Sequence, residues 1–286
     1  MSKWNLIVSV GRCENCNNCV LAERDEHEGN DFPGYAAPAD AAADGTIRIL
    51  RRVQGSAPMV DVTYLPVMCN HCDDAPCVRA GGGAVRKRPD GIVIIDPEKA
   101  RGRRDIVASC PYKAIVWNEE RQLPQTWIFD AHLIDQGWDR PRCQLVCPTD
   151  VFEAVKLDDR EMAARAEREG LQVLKPQLGT RPRVWYRGLE RWQTCFIGGS
   201  VCARLDGLMT CIAEAEVSLF QDGRLLATTL SDGFGDFRFD RLMPSSGEYR
   251  VAVRHRFGRA ERSCRLGESV NLGEMILTAE KELVDV

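Results

Sequence analysis

Apolar and polar residues alternate along the last third of the chain, from about residue 196 onward. The pattern is clearest in "AEVSLFQDGRLLATTLSDGFGDFRFDRL", where Asp-Gly pairs interrupt it, and it continues in "GEYRVAVRHRF" and "SVNLGEMIL". Alternation with a period of two places one face of a strand against a core, and Asp-Gly is a common hairpin turn. We therefore predict a small antiparallel β-sandwich of about six or seven strands over 196–286.

The earlier part of the chain has short apolar runs separated by turn-forming residues. "NLIVSV", "GIVIID" and "KAIVW" have the length of strands, and the alanine-rich stretch 34–45 is predicted to be a surface loop. Residues 158–170 have a polar helical pattern that ends at Gly170. Prolines and glycines within 175–192 indicate a linker, or a strap that wraps a partner. The predicted division of this α+β chain is 1–157, 158–195 and 196–286.

Charge and hydropathy exclude several classes of function. The net charge is −4 and basic residues form no tract, so nucleic acid is not expected as a partner. The apolar runs are strand-sized and too short to cross a bilayer, so no membrane association is expected. The first residues contain neither an apolar signal core nor a twin-arginine pair, which predicts a cytoplasmic protein.

Cysteine is the outlying residue type, with 13 copies in the chain. Because a reducing compartment disfavours a disulfide framework, clustered cysteines there more often bind metal or carry out redox chemistry. Four of them, Cys195, Cys202, Cys211 and Cys264, follow no motif and are expected to be buried small hydrophobic side chains. The other nine, all in the first 150 residues, are Cys13, Cys16, Cys19, Cys69, Cys72, Cys77, Cys110, Cys143 and Cys147.

Two cysteine triplets open runs of the ferredoxin type. "CENCNNC" begins at Cys13, and "CNHCDDAPC" begins at Cys69. In two-cluster ferredoxins the fourth cysteine of a run, usually followed by proline, ligates the other cluster. Cys-Pro pairs at Cys110 and Cys147 can supply such remote ligands here.

This spacing predicts two complete [4Fe–4S] sites, each with one triplet and one Cys-Pro thiolate. The predicted ligands are Cys13, Cys16, Cys19 and Cys147 for the first site, and Cys69, Cys72, Cys77 and Cys110 for the second. Spacing alone does not exclude the exchanged pairing, with Cys110 on the first triplet. Zinc or an inert thiol knot is the alternative for each triplet, although zinc favours CxxC pairs joined by a longer loop.

Two further sites are predicted to have lost their ligands, because the remaining ferredoxin positions mostly hold other residues. The lost sites would comprise Gly81, Ala100, Arg103 and Ile106 in one case, and Glu23, Trp127, Asp130 and Cys143 in the other. The substitutions are concentrated in two sites, and the other two sites keep all four cysteines. Random loss of ligands does not produce such a distribution. Cys143 is expected to be a leftover thiol, with a third metal at Glu23, Asp130 and Cys143 as the alternative. Trp127 and Arg103 are expected to fill the vacated volume.

Four runs nested in this way, first with fourth and second with third, resemble the iron–sulfur small subunits of molybdopterin oxidoreductases of the dimethyl sulfoxide reductase type. "DGIVIIDPEKARG", "CPYKAIVWNEE" and "LGTRPRVWY" are similar, more narrowly, to the small subunits that serve pyrogallol–phloroglucinol transhydroxylases and anaerobic resorcinol hydroxylases. The C-terminal pattern also resembles transthyretin-like and Cna-B modules. The resemblance implies a ferredoxin-like double-cluster domain followed by a β-sandwich.

The resemblance also implies a heterodimer whose large partner holds a molybdenum or tungsten bis-pterin and binds a phenolic substrate. It implies no catalytic residue on this chain, which would transfer electrons through its clusters. The two retained sites look like the outer members of the family's relay, so a structural or assembly subunit stapled by its clusters is the alternative. A freestanding ferredoxin with an adhesion-like domain is a third hypothesis.

Overall fold

The computed structural model describes residues 1–40 and 45–279, so residues 41–44 of the predicted loop 34–45 lie outside the described residues. The chain forms two compact units. Unit 1 comprises Met1–Arg51 and Thr63–Leu189, and unit 2 comprises Arg52–Val62 and the described residues from Glu190 onward. The described chain is mostly β, and none of its helices is both long and apolar enough to span a bilayer.

The elements have the following bounds. The strands are β1 (Lys3–Ser9), β2 (Arg48–Ser56), β3 (Met59–Val67), β4 (Val85–Lys87), β5 (Val93–Ile95), β6 (Val116–Asn118), β7 (Leu123–Gln125), β8 (Phe152–Leu157), β9 (Val184–Arg187), β10 (Cys195–Leu205), β11 (Leu208–Cys211), β12 (Glu216–Gln221), β13 (Arg224–Leu230), β14 (Asp236–Leu242), β15 (Gly247–His255), β16 (Gly258–Leu266) and β17 (Val270–Ile276). The α-helices are α1 (Asn18–His27), α2 (Pro76–Gly81), α3 (Arg104–Ala108), α4 (Ala131–Ile134), α5 (Arg142–Leu145), α6 (Asp159–Glu169) and α7 (Glu190–Gln193), with 3-10 turns at Val10–Arg12 and Pro176–Leu178.

Strand β1 is the central strand of the three-stranded sheet of unit 1. It lies between β8, to which it is antiparallel, and β9, to which it is parallel. Its side chains Leu6, Ile7 and Val8 are fully buried, as expected for a strand that is covered on both faces. Strand β9 belongs to the segment 175–192 that was predicted to be a linker or strap, so this part of the segment is instead built into the sheet of unit 1.

The predicted helix over 158–170 is confirmed as α6. The Asp158 side chain accepts a hydrogen bond from the Glu161 N–H at 2.8 Å, and the Glu161 side chain accepts one from the Asp158 N–H at 2.9 Å. This reciprocal capping satisfies two N–H groups that the helix itself cannot bond. Gly170 then ends the helix with a left-handed φ of 61°, a conformation that glycine adopts without steric cost.

Unit 2 is built from two four-stranded sheets. One has the order β13-β12-β15-β16 and is antiparallel throughout. In the other, β10 pairs with β11 and β14 in the antiparallel sense and with β17 in the parallel sense. Side chains of both sheets, such as Val201 on β10 and Val217 on β12, share one hydrophobic core.

Two expectations for unit 2 need correction. The described residues contain eight strands from Cys195 onward rather than six or seven, and β17 is parallel to β10 because the chain changes sheet after β16. Cys195 and Cys202 are buried as expected and Cys264 is half-buried, but Cys211 is exposed. It lies on the edge strand β11, all of whose residues are solvent-exposed.

Candidate iron–sulfur sites

The first triplet surrounds the start of helix α1. Cys13 and Cys16 precede the helix, and Cys19 lies in its first turn. Cys147 follows helix α5, and the folded chain brings it near the triplet. Burial raises the pKa of Cys19 to about 12, with further increases from the negative charges of Cys13 and Cys147. Burial is also the largest cause of the raised pKa of Cys13, and the charges of Cys147 and Cys16 raise this pKa further.

The second triplet and Cys110 line a single pocket. Apolar side chains, including Val93 and Ile95, complete its wall. Burial raises the pKa of both Cys72 and Cys77 to about 11, and the charge of Cys110 raises both further. We call Cys13, Cys16, Cys19 and Cys147 the first quartet, and Cys69, Cys72, Cys77 and Cys110 the second quartet. The three triplet cysteines of the second quartet are buried, whereas Cys16 of the first quartet is exposed. The structure thus brings Cys147 to the first triplet and Cys110 to the second.

The two triplets share a local backbone geometry. The residue two places after the first cysteine is left-handed in both, with φ of 59° at Asn15 and 44° at His71. This turn lets its N–H donate to the preceding sulfur, as His71 does to Cys69 Sγ at 3.5 Å. The N–H of Asn15 likewise bonds to Cys13 and lowers its pKa against the larger effect of burial.

The two Cys-Pro pairs also have matching turns. Cys110 Sγ accepts from the N–H of Ala114 at 3.5 Å, and Cys147 Sγ accepts from the N–H of Val151 at 3.4 Å. In both, the residue just before the donor is left-handed, with φ of 53° at Lys113 and 51° at Asp150. Backbone N–H groups aimed at sulfur stabilise a ligating thiolate.

The chemistry of these quartets fits an iron–sulfur cluster. Burial and mutual repulsion oppose ionisation of the thiols, so a bound cation is needed to hold four thiolates together. Four thiolates on one zinc would lie about 3.8 Å apart. Over residues 1–40 and 45–279, no three Cys, His, Asp or Glu side chains are grouped closely enough to hold one metal ion.

The first site predicted to have lost its ligands, at Gly81, Ala100, Arg103 and Ile106, lies in hydrophobic core. We call it the first vacated site. Ala100 and Ile106 are fully buried in the same apolar cluster as Cys72 and Cys77. A Cβ on Gly81 would lie 2.5 Å from Val85 Cγ2, so no larger side chain fits there.

Contrary to expectation, Arg103 does not fill the volume of this site. Its side chain is 38% exposed, and it donates to the Ala80 carbonyl at 2.7 Å and to the Gly81 carbonyl at 3.4 Å. Carbonyls at the C-terminal end of a helix lack intrahelical donors, so Arg103 caps α2.

The second vacated site, predicted at Glu23, Trp127, Asp130 and Cys143, is buried but polar. Trp127 is 1% exposed and packs against the rings of His71 at 5.3 Å and Phe129 at 5.0 Å, so it fills part of the volume as expected. Asp130 accepts from the Arg142 N–H at 2.7 Å. Trp127 Nε1 and Asp130 Oδ1 have no hydrogen-bond partner among the described residues. Buried polar atoms of this kind are rare in native proteins.

Glu23 and Cys143 belong to the same buried group. Burial raises the pKa of Glu23 to about 7, although Thr46 donates to its carboxylate at 2.5 Å and opposes the shift, while the Asp130 charge adds to it. Burial also raises the pKa of Cys143 well above its usual value, as do the charges of Asp130 and Cys19. Asp130 is therefore close to both Glu23 and Cys143, and Cys143 is close to Cys19 of the first quartet.

The two runs predicted to have lost their ligands share one backbone feature with the two triplets. The third residue of each run, at the place of Asn15 and His71, is Gly102 with φ of 78° in one and Phe129 with φ of 59° in the other. A left-handed phenylalanine is sterically costly, so the surrounding fold holds it there. None of these four turns was predicted from the sequence, although Asn15 and Gly102 are residue types that adopt positive φ readily.

Comparisons with known proteins point to iron–sulfur proteins. Residues 60–157 match the model of the 4Fe-4S dicluster domain family. The chain is 40% identical over 256 residues to the pyrogallol hydroxytransferase small subunit of Pelobacter acidigallici, covering 88% of this chain and 91% of that one.

More distant relatives are also subunits of redox complexes. The chain is 29% identical to a tetrathionate reductase subunit of Salmonella typhimurium, over 66% of this chain and 73% of that one. It is 28% identical to a sulfite dehydrogenase subunit of Allochromatium vinosum, over 65% and 83%. A likeness to the 5-hydroxyisourate hydrolase of Klebsiella pneumoniae, with a TM-score of 0.25 and 17% identity over 29% of this chain and 85% of that one, is too low to assign a fold.

The pairing of Cys-Pro cysteines with triplets can be tested by spectroscopy. We expect Cys147→Ser and Cys16→Ser to remove or alter the same EPR signal, because both residues lie in the first quartet. Cys110→Ser and Cys72→Ser should affect the other signal. Cys143→Ser is the control and should leave both signals in place. If Cys147→Ser instead alters the signal that Cys72→Ser alters, the exchanged pairing is correct.

The buried carboxyl of Glu23 predicts a pH dependence of stability. Because its folded pKa of about 7 exceeds its usual 4.5, its contribution is fully present below pH 4.5 and is lost as the pH rises through 7. Glu23→Gln should therefore stabilise the protein at pH 8 by about 3 kcal/mol and have little effect at pH 4.5. Thermal unfolding of the cluster-loaded protein across this range measures the difference. The exposed Glu28→Gln is the control. An equal effect of Glu23→Gln at both pH values would contradict the prediction.

Proposed function

The chain belongs to the family of iron–sulfur small subunits that includes the pyrogallol hydroxytransferase small subunit, and from this membership we propose that it transfers electrons for a larger molybdopterin-containing catalytic subunit. The observation that carries the proposal is the gathering of eight thiols into two quartets with the same local turns. When bound, two [4Fe–4S] clusters supply reversible one-electron transfer at these quartets.

The surroundings of each quartet suit a different part of this task. Cys69, Cys72 and Cys77 are buried against apolar side chains, which exclude water from the second site. At the first site Cys16 is exposed, so electrons can pass between this site and a docked protein over a short distance. The N–H groups aimed at Cys110 and Cys147 favour the reduced, more negative state of a bound group.

The proposal extends to the partner and its substrate. A heterodimer in which the large subunit holds a molybdenum or tungsten bis-pterin and acts on a polyhydroxylated benzene is supported by the similarity to the Pelobacter acidigallici subunit over 88% of this chain. The catalytic groups would then lie on the partner. Residues 1–157 would form most of the ferredoxin-like cluster domain, with the segment up to Leu189 completing its sheet and core, and 196–286 would form a β-sandwich module.

We propose that the large subunit docks on the surface beside the first quartet. Leu21 on α1 is 62% exposed and Leu145 on α5 is 51% exposed, and these two helices contact each other next to the exposed Cys16. Large apolar side chains that flank an exposed redox site are typical of a surface that a partner covers. Docking here would bring the first cluster close to the partner's cofactor.

A second candidate function is a structural one. Cys72 and Cys77 belong to a core cluster of unit 1 that also contains Ala84, Val93 and Ile95. A metal group bound at this quartet would contribute folding free energy directly, whatever its redox behaviour. In that case the second cluster would stabilise unit 1 without transferring electrons.

A redox titration of the purified complex, followed by EPR, separates the two functions. Electron transfer predicts that the signal lost in Cys16→Ser appears and disappears over the range of potentials that the complex uses with its substrate. A structural role alone predicts that neither signal changes with potential. Iron content per small subunit, measured on the same sample, controls for cluster loss and should be about eight iron atoms for two cubanes.

The docking surface predicts a selective loss of association. The double variant Leu21→Lys with Leu145→Lys should weaken binding of the large subunit at least about tenfold, because each buried leucine contributes roughly 1.5–3 kcal/mol. Leu226→Lys is the matched control, since Leu226 is 50% exposed on β13 of unit 2. Co-purification measures the outcome. Full binding by the double variant and weak binding by the control would place the docking surface on unit 2 instead.

A further inference from the structure

Two cysteines outside the predicted cluster sites lie directly opposite each other in unit 2. Strands β10 and β11 are antiparallel, and their register pairs Cys202 with Cys211. The Ile212 N–H donates to the Val201 carbonyl at 2.9 Å, which places the ladder bond beside the cysteine pair and not within it. Cys202 and Cys211 therefore occupy a non-hydrogen-bonded site, where Cα atoms approach to about 4.5 Å and side chains are closest.

Both side chains point to the same face of the sheet. Val201 and Ala203, on either side of Cys202, belong to the hydrophobic core, as does Ile212 next to Cys211. Because side chains alternate along a strand, both thiols lie on the face opposite that core. A separation of about 4.5 Å falls within the range of Cα distances, about 4.4–6.8 Å, that a disulfide can bridge.

The two thiols differ in their access to solvent. Cys211 is exposed on its edge strand, whereas Cys202 is 4% exposed between β11 and β17. Burial raises the pKa of Cys202 to about 11, and the next cause is the charge of Cys211, which shows that the two sulfurs are close. Cys195 and Cys264 have no such neighbour, since their cross-strand partners are Leu242 and Tyr249.

We propose that Cys202 and Cys211 form a reversible thiol–disulfide site, with Cys211 as the thiol that a small-molecule disulfide modifies and Cys202 as the thiol that resolves the product. An exposed cysteine beside a second, shielded cysteine is the usual arrangement of such sites. The site is independent of the eight thiols predicted to bind iron, all of which belong to unit 1.

The reaction takes place in two exchanges. The Cys211 thiolate attacks a small-molecule disulfide such as oxidised glutathione, which forms a mixed disulfide on Cys211 and releases one glutathione thiolate. The Cys202 thiolate then attacks Cys211 Sγ, which forms the Cys202–Cys211 bond and releases the second glutathione thiolate. The two cysteines lose two electrons, both of which reduce glutathione, and their two protons pass to solvent or to the leaving thiolates.

The bond would fasten an edge strand to the centre of its sheet. Strand β11 pairs only with β10 among the described strands, and its residues are exposed. A cross-link between Cys202 and Cys211 would close the short loop between the two strands and oppose fraying of this edge. Reduction would restore the free edge, so the state of the pair would follow the thiol–disulfide balance of its surroundings.

Peptide mapping by mass spectrometry tests the proposal on the intact, cluster-loaded protein. The protein is incubated anaerobically with oxidised glutathione, alkylated and digested. We expect the wild-type protein to yield a Cys202–Cys211 cross-linked peptide that lacks two hydrogen atoms, with no glutathione retained on Cys211. Cys202→Ser should retain one stable glutathione on Cys211, because nothing resolves the mixed disulfide. Cys264→Ser is the matched control and should behave as the wild-type protein does.

Two outcomes would overturn the proposal. Either the wild-type protein retains glutathione on Cys211 to the same extent as Cys202→Ser, or neither cysteine loses its reactivity toward alkylation. Wild-type mapping decides the matter even if Cys202→Ser does not fold. Reduction with dithiothreitol after the first incubation should return both thiols, and failure to do so would exclude a reversible site.

Discussion

The structure of unit 1 depends on the burial of thiols that must lose their protons before they can bind iron. Burial raises the pKa of Cys19, Cys72 and Cys77 to about 11 or 12, so in the absence of a cation these groups stay protonated. A bound metal group reverses this balance, because it stabilises the thiolate form that the apolar surroundings oppose. Each quartet also joins a segment early in its part of the chain to a later Cys-Pro turn. Metal binding and folding of unit 1 are therefore coupled in the same set of contacts.

The two runs predicted to have lost their ligands share a left-handed turn with the two cysteine triplets. Phe129 keeps the left-handed φ that Asn15 and His71 have in the occupied runs, although a phenylalanine has no intrinsic reason to adopt it. The volumes were filled in two different ways. Around Gly81 the replacement is aliphatic and well packed, whereas around Asp130 it is polar and leaves buried atoms unbonded. The second solution is the costlier one, and it lies next to the first quartet.

Residue spacing and capping signals within short stretches of sequence predicted the features that short-range interactions determine. The triplets at Cys13 and Cys69 and helix α6 with its Gly170 end follow from short-range spacing and capping. Strand β9 and the parallel pairing of β17 were missed, because each depends on a partner strand far away in sequence. The exposure of Cys211 was missed for the same reason, since an edge strand has the same sequence pattern as a central one. The left-handed turn at Phe129 was missed because its neighbours, rather than its residue type, impose it.

Cysteine side chains are suited to different chemistry in the two units. The units differ in how many thiols lie together and in what surrounds them. In unit 1, the second-quartet thiols face one apolar cavity, and only a positively charged group can hold them together as thiolates. In unit 2, two thiols lie side by side on the outer face of a sheet, one of them open to solvent, so an oxidant suffices to join them. Neither arrangement depends on a distinctive residue beyond cysteine itself. What distinguishes them is whether the fold brings four sulfurs around a volume or two across a strand pair.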